Sequence, residues 1–246
     1  HAMLAASRAH PNQVAQIVPS PMTLPVDRTV IDLIADGYVG QIIQVDARAS
    51  NGNFPAPDGP VHWRHDRDLS GNNIMNMGIW FEGIMRWVGP MRTVHAVGQT
   101  VVPYRLDDNG RRTPMMIPDH IDVTGRLEQG GQMRLTVSSV IGLAPAGGEI
   151  LIYGTEGTVR VASGDDGQLA VWGGRKGDDA LSPIAIEPAK RGGWRVEEEF
   201  ISAIRGHEAV THTDFATGVT YMEWTDAVTR SLRSGQSVHL PLEVNG

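Results

Sequence analysis

Residues 70–80 read SGNNIMNMGIW, and Asn76 and Trp80 stand four apart within them. On a helix, residues so spaced share one face, where a ligand can meet both side chains. A carboxamide and an indole offer hydrogen bonds and a flat apolar wall, but neither takes up a proton near neutral pH. Just upstream, His62-Trp63-Arg64-His65 is the densest polar–aromatic cluster of the chain. Read as chemistry, Arg64 clamps a carboxylate or hydroxyls while the histidines act as acid, base or metal ligand. Read as structure, it is a surface loop with Trp63 tucked inward. Two histidines three apart, with no carboxylate in pattern, specify no metal, and none is expected. Glu197-Glu198-Glu199 suits the first turn of a helix, where negative charge meets the macrodipole, and is expected to be solvated. Arg175-Lys176 and Lys190-Arg191 lie in glycine-rich stretches and read as flexible surface loops rather than phosphate sites.

The elements that must hold these residues follow from periodicity. Residues 25–36 carry Val26, Val30, Leu33 and Ile34 at helical spacing, with Gly37 closing the helix. Residues 40–49 alternate, with Ile43, Val45 and Ala47 on the buried side. Residues 3–10 read as one or two helical turns, 14–21 as a short β-prone run stopped by prolines, and 51–60 as loop. A helix is expected over 73–88, with Ile74, Met77, Phe81, Ile84, Met85 and Val88 as its core stripe. Asn73, Asn76, Trp80, Gly83 and Trp87 form a second stripe. That stripe is either a tryptophan ridge packed on a neighbouring element or the wall of a sugar-binding cleft, and the sequence leaves both open. Strands are expected over 92–102, 120–128, 132–142, 149–154 and 158–162, with Gln129-Gly130-Gly131 as a tight turn. Residues 172–180 and 189–194 read as loops, 195–206 and 214–234 as helices, and 237–240 as a last strand. Short turns between consecutive strands imply antiparallel pairing. The fold class is therefore α+β, a large open, mainly antiparallel mixed sheet with helices on one face.

Composition narrows the function. With 41% hydrophobic and 20% charged residues among 246, the chain suits an ordinary globular domain. A net charge of -7 without basic blocks argues against nucleic acid and anionic membranes as partners. Absence of cysteine excludes disulfides and thiolate chemistry. No apolar run suits a bilayer span, and HAMLAAS lacks the pattern of a signal peptide, so a cytoplasmic location is expected. His1-Ala2 before Met3 reads as a tag remnant. No G-x-G-x-x-G, Walker loop, H-E-x-x-H or G-x-S-x-G occurs, so the chain shows no machinery of its own for binding a nucleotide.

Several segments in order, HWR (62–64), SGNNIMNMGIW, LIADGYVGQIIQV (33–45), IYGTEGTVRV (152–161) and the stretch 198–238, resemble the C-terminal half of the Gfo/Idh/MocA oxidoreductases. The resemblance runs from about Val14 to the end. It implies a dihydrodipicolinate reductase-like C-terminal domain over 14–246, bearing a substrate site and the oligomer contacts. Residues 1–13 would then hold the tag remnant and a residual piece of an N-terminal Rossmann domain. That domain would bind NAD or NADP and carry the family's Glu-Lys-Pro lysine; no cofactor is expected on this chain, which alone should be inactive.

The resemblance also places the family's catalytic Asp and His, which relay a hydroxyl proton, at Asn76 and Trp80, and its last Asp at Gly83. Gly71 and Gly78 keep their types, whereas Glu82 lies about 100° round the helix from the lost Asp position. Proton relay by these residues is thus not expected; the proton would pass to the family lysine, or to His62, His65 or Asp68. Candidate substrate contacts are Trp63, Arg64, His65, Asn73, Asn76 and Trp80, with a sugar or polyol as ligand. The implied function is the substrate-binding and oligomerisation domain of an NAD(P)-dependent oxidoreductase, forming a homo-dimer or tetramer through the polar sheet face. The alternative is a non-enzymatic binding or scaffolding member that has lost its acid–base pair.

Overall fold

A computed structural model describes residues 1–70 and 73–243; Gly71 and Asn72 lie outside the described residues. In chain order the elements are α1 (Ala2–Ala9), α2 (Asp27–Ala35), β1 (Ile42–Ser50), a 3-10 turn (Trp63–His65), α3 (Arg67–Ser70), a second 3-10 turn (Ile74–Asn76) and α4 (Met77–Val88). Then come β2 (Thr93–Gln99), β3 (Tyr104–Leu106), β4 (Arg112–Pro114), β5 (His120–Arg126), β6 (Gln132–Ser138), β7 (Gly147–Gly154), β8 (Gly157–Ser163), β9 (Leu169–Arg175) and β10 (Ser182–Ile184). A short 3-10 turn (Pro188–Lys190), α5 (Val196–Ile204), α6 (Phe215–Ser234) and β11 (Val238–His239) complete the described chain. The fold is α+β.

Among the described residues, nine strands form one sheet in the order β10-β9-β8-β7-β1-β6-β5-β2-β11, and β3 and β4 make a separate two-stranded arm. Only β1 and β6 pair in parallel, from Gln44 opposite Gln132 to Ser50 opposite Ser138. Short turns join β5 to β6, β7 to β8 and β8 to β9, and these pairs are antiparallel. Helices α2, α4 and α6 cover one face. There Val45, Ile121, Val123, Leu135, Val137, Ile150 and Ile152 meet Phe81, Ile84, Val88, Trp224 and Val228, all buried. Phe81 and Trp224 stack with ring centroids 4.1 Å apart, joining α4 to α6 at the centre of the core. The other face keeps Asp46, Arg48, Asp122, Thr124, Arg126 and Arg134, none of them buried. No described helix is long and apolar enough to cross a membrane.

The caps explain where the helices stop. Asp214 Oδ1 accepts from the Thr217 N–H at 2.7 Å to open α6, and Gly235 closes it at φ 68°. Gly37, at φ 74°, follows α2 in the same way.

Four expectations are corrected. Residues 14–21 form no strand; Ile17 and Thr213 exchange backbone hydrogen bonds, but Pro19 and Pro21 lack the N–H groups a ladder needs. Ile43 is 56% exposed, because the pairing of β1 with β7 shifts register between Ile42 and Gln44 and breaks the alternation there. Residues 172–180 are not simply loop, since β9 runs on to Arg175. The helix expected over 73–88 begins only at Met77, behind a kinked turn.

Candidate functional site

Strands β1 and β6 both end at one edge of the sheet, and a cleft of about 390 Å³ opens beyond their carboxyl ends. Ser50, His62, Arg64, His65, Asn76 and Trp80 line it, with Asp119 and Ser138 across from them. A parallel pair directs both chains out at the same end, which gathers loop residues there. A larger cavity, about 610 Å³, lies between α2 and the segment leading into α5. Lys190 and Asp32 in its lining pair at 3.1 Å, and Arg195 is taken by Glu198 at 3.0 Å. The cleft at Trp80 has chemistry to spare; the larger cavity does not.

The turn before α4 sets the Asn76 side chain. Met75 and Asn76 both adopt left-handed backbone, φ 45° and 67°, at a cost of roughly 1–3 kcal/mol each. Neither is glycine, so the surrounding packing must hold them there. Helix capping falls to Asn73, whose Oδ1 accepts from the Gly78 N–H at 2.9 Å. Asn76 is thereby released from capping, and its Oδ1 is buried without a hydrogen-bond partner among the described residues. A buried acceptor left unpaired is costly. Four residues on, the indole of Trp80 lies over β7, where a Cβ at Gly148 would collide with it.

The histidines present themselves in a defined form. His65 Nδ1 accepts from the His62 N–H at 3.0 Å, and His62 Nδ1 accepts from the Arg64 N–H at 3.2 Å. A nitrogen that accepts from a backbone amide carries no proton, so in each neutral ring the proton sits on Nε2. Burial, then the Arg105 guanidinium and His62, push the His65 pKa below its ordinary value, with Asp119 opposing. His65 is therefore a neutral hydrogen-bond donor at pH 7 and has no free lone pair at Nε2. The role of general base assigned to His62 or His65 does not fit this geometry.

Among the described lining residues Asp119 is the one carboxylate, and its two oxygens accept from the Val101 and Val102 N–H groups at 2.7 and 2.8 Å. It holds the chain before the β3–β4 arm in place. Arg64 reaches the cleft while its guanidinium carbon lies 4.1 Å from the centroid of the Trp63 ring. Among the described residues no carboxylate forms an ion pair with it.

Of the candidate contacts, the cleft thus brings together Arg64, His65, Asn76 and Trp80. Trp63 is not tucked inward; it is 48% exposed and serves as a platform for Arg64. Asn73 is a helix cap, and Asp68 lies exposed on α3, outside the cleft lining. The second stripe divides in two: Trp80 walls the cleft, whereas Trp87 is buried and donates to Asp27 Oδ1 at 2.6 Å.

Sequence reasoning missed the buried charges that hold this frame. Glu82 is buried and accepts from the Ser20 N–H and the Thr213 hydroxyl, each at 2.7 Å. Arg86 joins Glu82 at 2.6 Å and Asp27 at 2.5 Å. Burial alone would lower the Arg86 pKa, but the bonds to Glu82 and Asp27 outweigh it and raise it. Glu199, expected to be solvated, is buried and accepts from Gln16 Nε2 and from Thr211. The i, i+4 spacing of Glu82 and Arg86 was the available signal.

No described helix opens directly from a parallel strand through a glycine-rich turn, the arrangement that cradles a pyrophosphate.

Comparison with known proteins agrees with this picture. Residues 28–160 match the profile of the GFO/IDH/MocA C-terminal domain. No curated protein matches the sequence. Among solved structures, an NAD binding oxidoreductase from Klebsiella pneumoniae superposes with a TM-score of 0.81 at 18% identity, over 98% of this chain and 70% of that one. Levoglucosan dehydrogenase in complex with NADH and levoglucosan gives 0.78 at 19% identity, over 94% and 68%. A super-repressor mutant of Gal80p from Saccharomyces cerevisiae gives 0.71 at 15%, over 96% and 67%. At these identities the likeness is one of fold.

Proposed function

The chain belongs to the GFO/IDH/MocA C-terminal domain family, and on that footing we propose that it is the substrate-binding and oligomerisation unit of an NAD(P)-dependent oxidoreductase acting on a sugar or polyol. Residues 14–246 form that unit, and residues 1–13 go with a dinucleotide-binding unit. The observation that carries the reading is the pairing of an aromatic wall, Trp80, with an unpartnered buried acceptor, Asn76 Oδ1, in one cleft. Sugar C–H faces suit the indole and their hydroxyls suit the amide. NAD or NADP, which accepts the hydride when bound, is held by residues other than those described. Levoglucosan dehydrogenase, whose complex carries NADH and levoglucosan, supports both the cofactor and the substrate class.

Within the cleft, Trp80 and Asn76 orient the ligand, and His62 and His65 donate through Nε2–H. None of these four takes the hydroxyl proton. The test is a panel of sugars and polyols assayed with NAD and with NADP, beside calorimetric titration of the same compounds. Turnover or saturable binding supports the reading; neither with any member of the panel removes it.

A second reading has an observation of its own. Asp119, the one carboxylate among the described lining residues, is held by two backbone N–H groups, and a super-repressor mutant of Gal80p shares the fold. A non-enzymatic sensor that binds a sugar without oxidising it accounts for both. Sugar binding without turnover for either cofactor, when the chain is joined to a dinucleotide-binding unit, selects this alternative.

A further inference from the structure

Hydrogen-bonding groups in the cleft are unequally supplied. The two histidine rings give their Nδ1 atoms to backbone amides, so each offers a ligand only an Nε2–H donor. Arg64 adds a planar fork of donors and a full positive charge, paired with no carboxylate among the described residues. On the acceptor side, both Asp119 oxygens are taken by backbone N–H groups. Ser50 Oγ accepts from the Gly52 N–H, and Ser138 Oγ from the Val140 N–H. Asn76 Oδ1 is a buried acceptor without a partner among the described residues. A neutral sugar meets these donors through hydroxyl oxygens that accept without charge and bring protons needing acceptors of their own. A carboxylate brings acceptors alone.

We infer that the cleft selects sugars or polyols bearing a carboxylate, with the carboxylate met by Arg64 and the Nε2–H groups of His62 and His65 and a hydroxyl donating to Asn76 Oδ1. The inference rests on the cleft being the ligand site. The ring centroids of His62 and His65 are 6.1 Å apart and their planes are near perpendicular, at 75°. That spacing leaves room for one carboxylate to meet a donor from each ring. Trp63 holds the Arg64 guanidinium by cation–π contact, so little side-chain entropy is lost when the anion arrives. The aromatic wall and the Asn76 acceptor then read the hydroxylated carbon chain.

The experiment is calorimetry on the 246-residue chain with D-glucuronate and its neutral near-isostere D-glucuronamide, and with D-gluconate and D-sorbitol. D-glucose 6-phosphate reports whether any anion serves. The carboxylates are expected to bind at least about tenfold more tightly than their neutral partners, as a charge-assisted pair in a half-enclosed site allows. Arg64→Gln should weaken the carboxylates far more than glucuronamide and so abolish that difference. Equal affinity of carboxylate and amide, a preference that survives Arg64→Gln, or tighter binding of the phosphate than of either carboxylate overturns the inference, yet leaves the cleft as a sugar site. Absence of binding by all five compounds removes the sugar site itself, and the inference with it.

Discussion

The indole of Trp80 fills the space into which a side chain at position 148 would grow. A residue on α4 and a residue at the start of β7 therefore fix together how wide the cleft is. Gly148→Val is expected to push the indole off the strand and to cost about 1–3 kcal/mol, the usual penalty for overfilling a packed contact. Urea unfolding measures the cost, and sugar titration measures the loss of the wall. A variant with wild-type stability and binding would mean that the indole finds another seat at no cost. Trp80→Ala should weaken ligand binding and leave any pH profile of turnover in place, since an indole does not titrate there.

Glu82 tests the frame beneath the cleft. Glu82→Gln leaves Arg86 with less compensating charge and turns an amide donor toward the Ser20 N–H or the Thr213 hydroxyl. A loss of about 3–5 kcal/mol is expected, as for breaking one partner of a buried ion pair. Glu197→Gln, on an exposed residue that accepts from the Trp194 indole, should stay within about 0.5 kcal/mol. Denaturant midpoints for the two variants supply the comparison.

His65 predicts a pH dependence of known sign. Its pKa is lowered in the folded chain, by burial first and then by Arg105 and His62. The unfolded chain therefore binds more protons just below the ordinary histidine value of 6.5, and stability falls as pH drops from there toward the folded pKa. Above the unfolded pKa the contribution is fully present. His65→Gln should flatten the fall in stability as pH drops below about 6.5. Nitrogen NMR of the imidazole should find the neutral ring protonated at Nε2, and a neutral ring protonated at Nδ1 would contradict the hydrogen bond from His62.

Assembly can be read from the open sheet face. Thr136 donates to Asp122 Oδ1 at 2.5 Å, and Arg134 lies 3.7 Å from the same oxygen, so the face is polar and internally ordered. Such a surface suits a wet, symmetric contact between two sheets. Light scattering at micromolar concentration is expected to report a dimer or larger, and Arg134→Glu should shift it toward monomer. A monomeric wild-type chain would leave the face simply solvated.

Much of this architecture is legible in the sequence because the strongest signals are local. Helix α6 carries its own cap at Asp214 and its own stop at Gly235, and the strands β5 to β8 alternate between glycine turns. The failures are places where a distant contact decides. Gly173 reads as loop, yet on β9 it gives room to Tyr38 and Ile184, which a Cβ would strike. Methionine is not enriched in left-handed turns, so nothing in IMN announces that α4 starts late and frees Asn76. The cleft was half legible: Arg64, His65, Asn76 and Trp80 stand in the sequence, but the hydrogen bonds that turn both histidines into donors depend on the 3-10 turn.

The parallel pairing of Gln44 with Gln132 has a consequence for how the chain is made. Strand β1 has β6 on one side and β7 on the other, and both are synthesised long after it. Closing so long an intervening segment is entropically slow, which places this sheet among the slower folds. On the ribosome the apolar face of β1, with Val45, Ala47 and Ala49, waits without a strand partner until two later hairpins have emerged. A message cut short before Gln132 yields a chain whose central strand has neither neighbour, an exposed edge prone to aggregation rather than a smaller working domain.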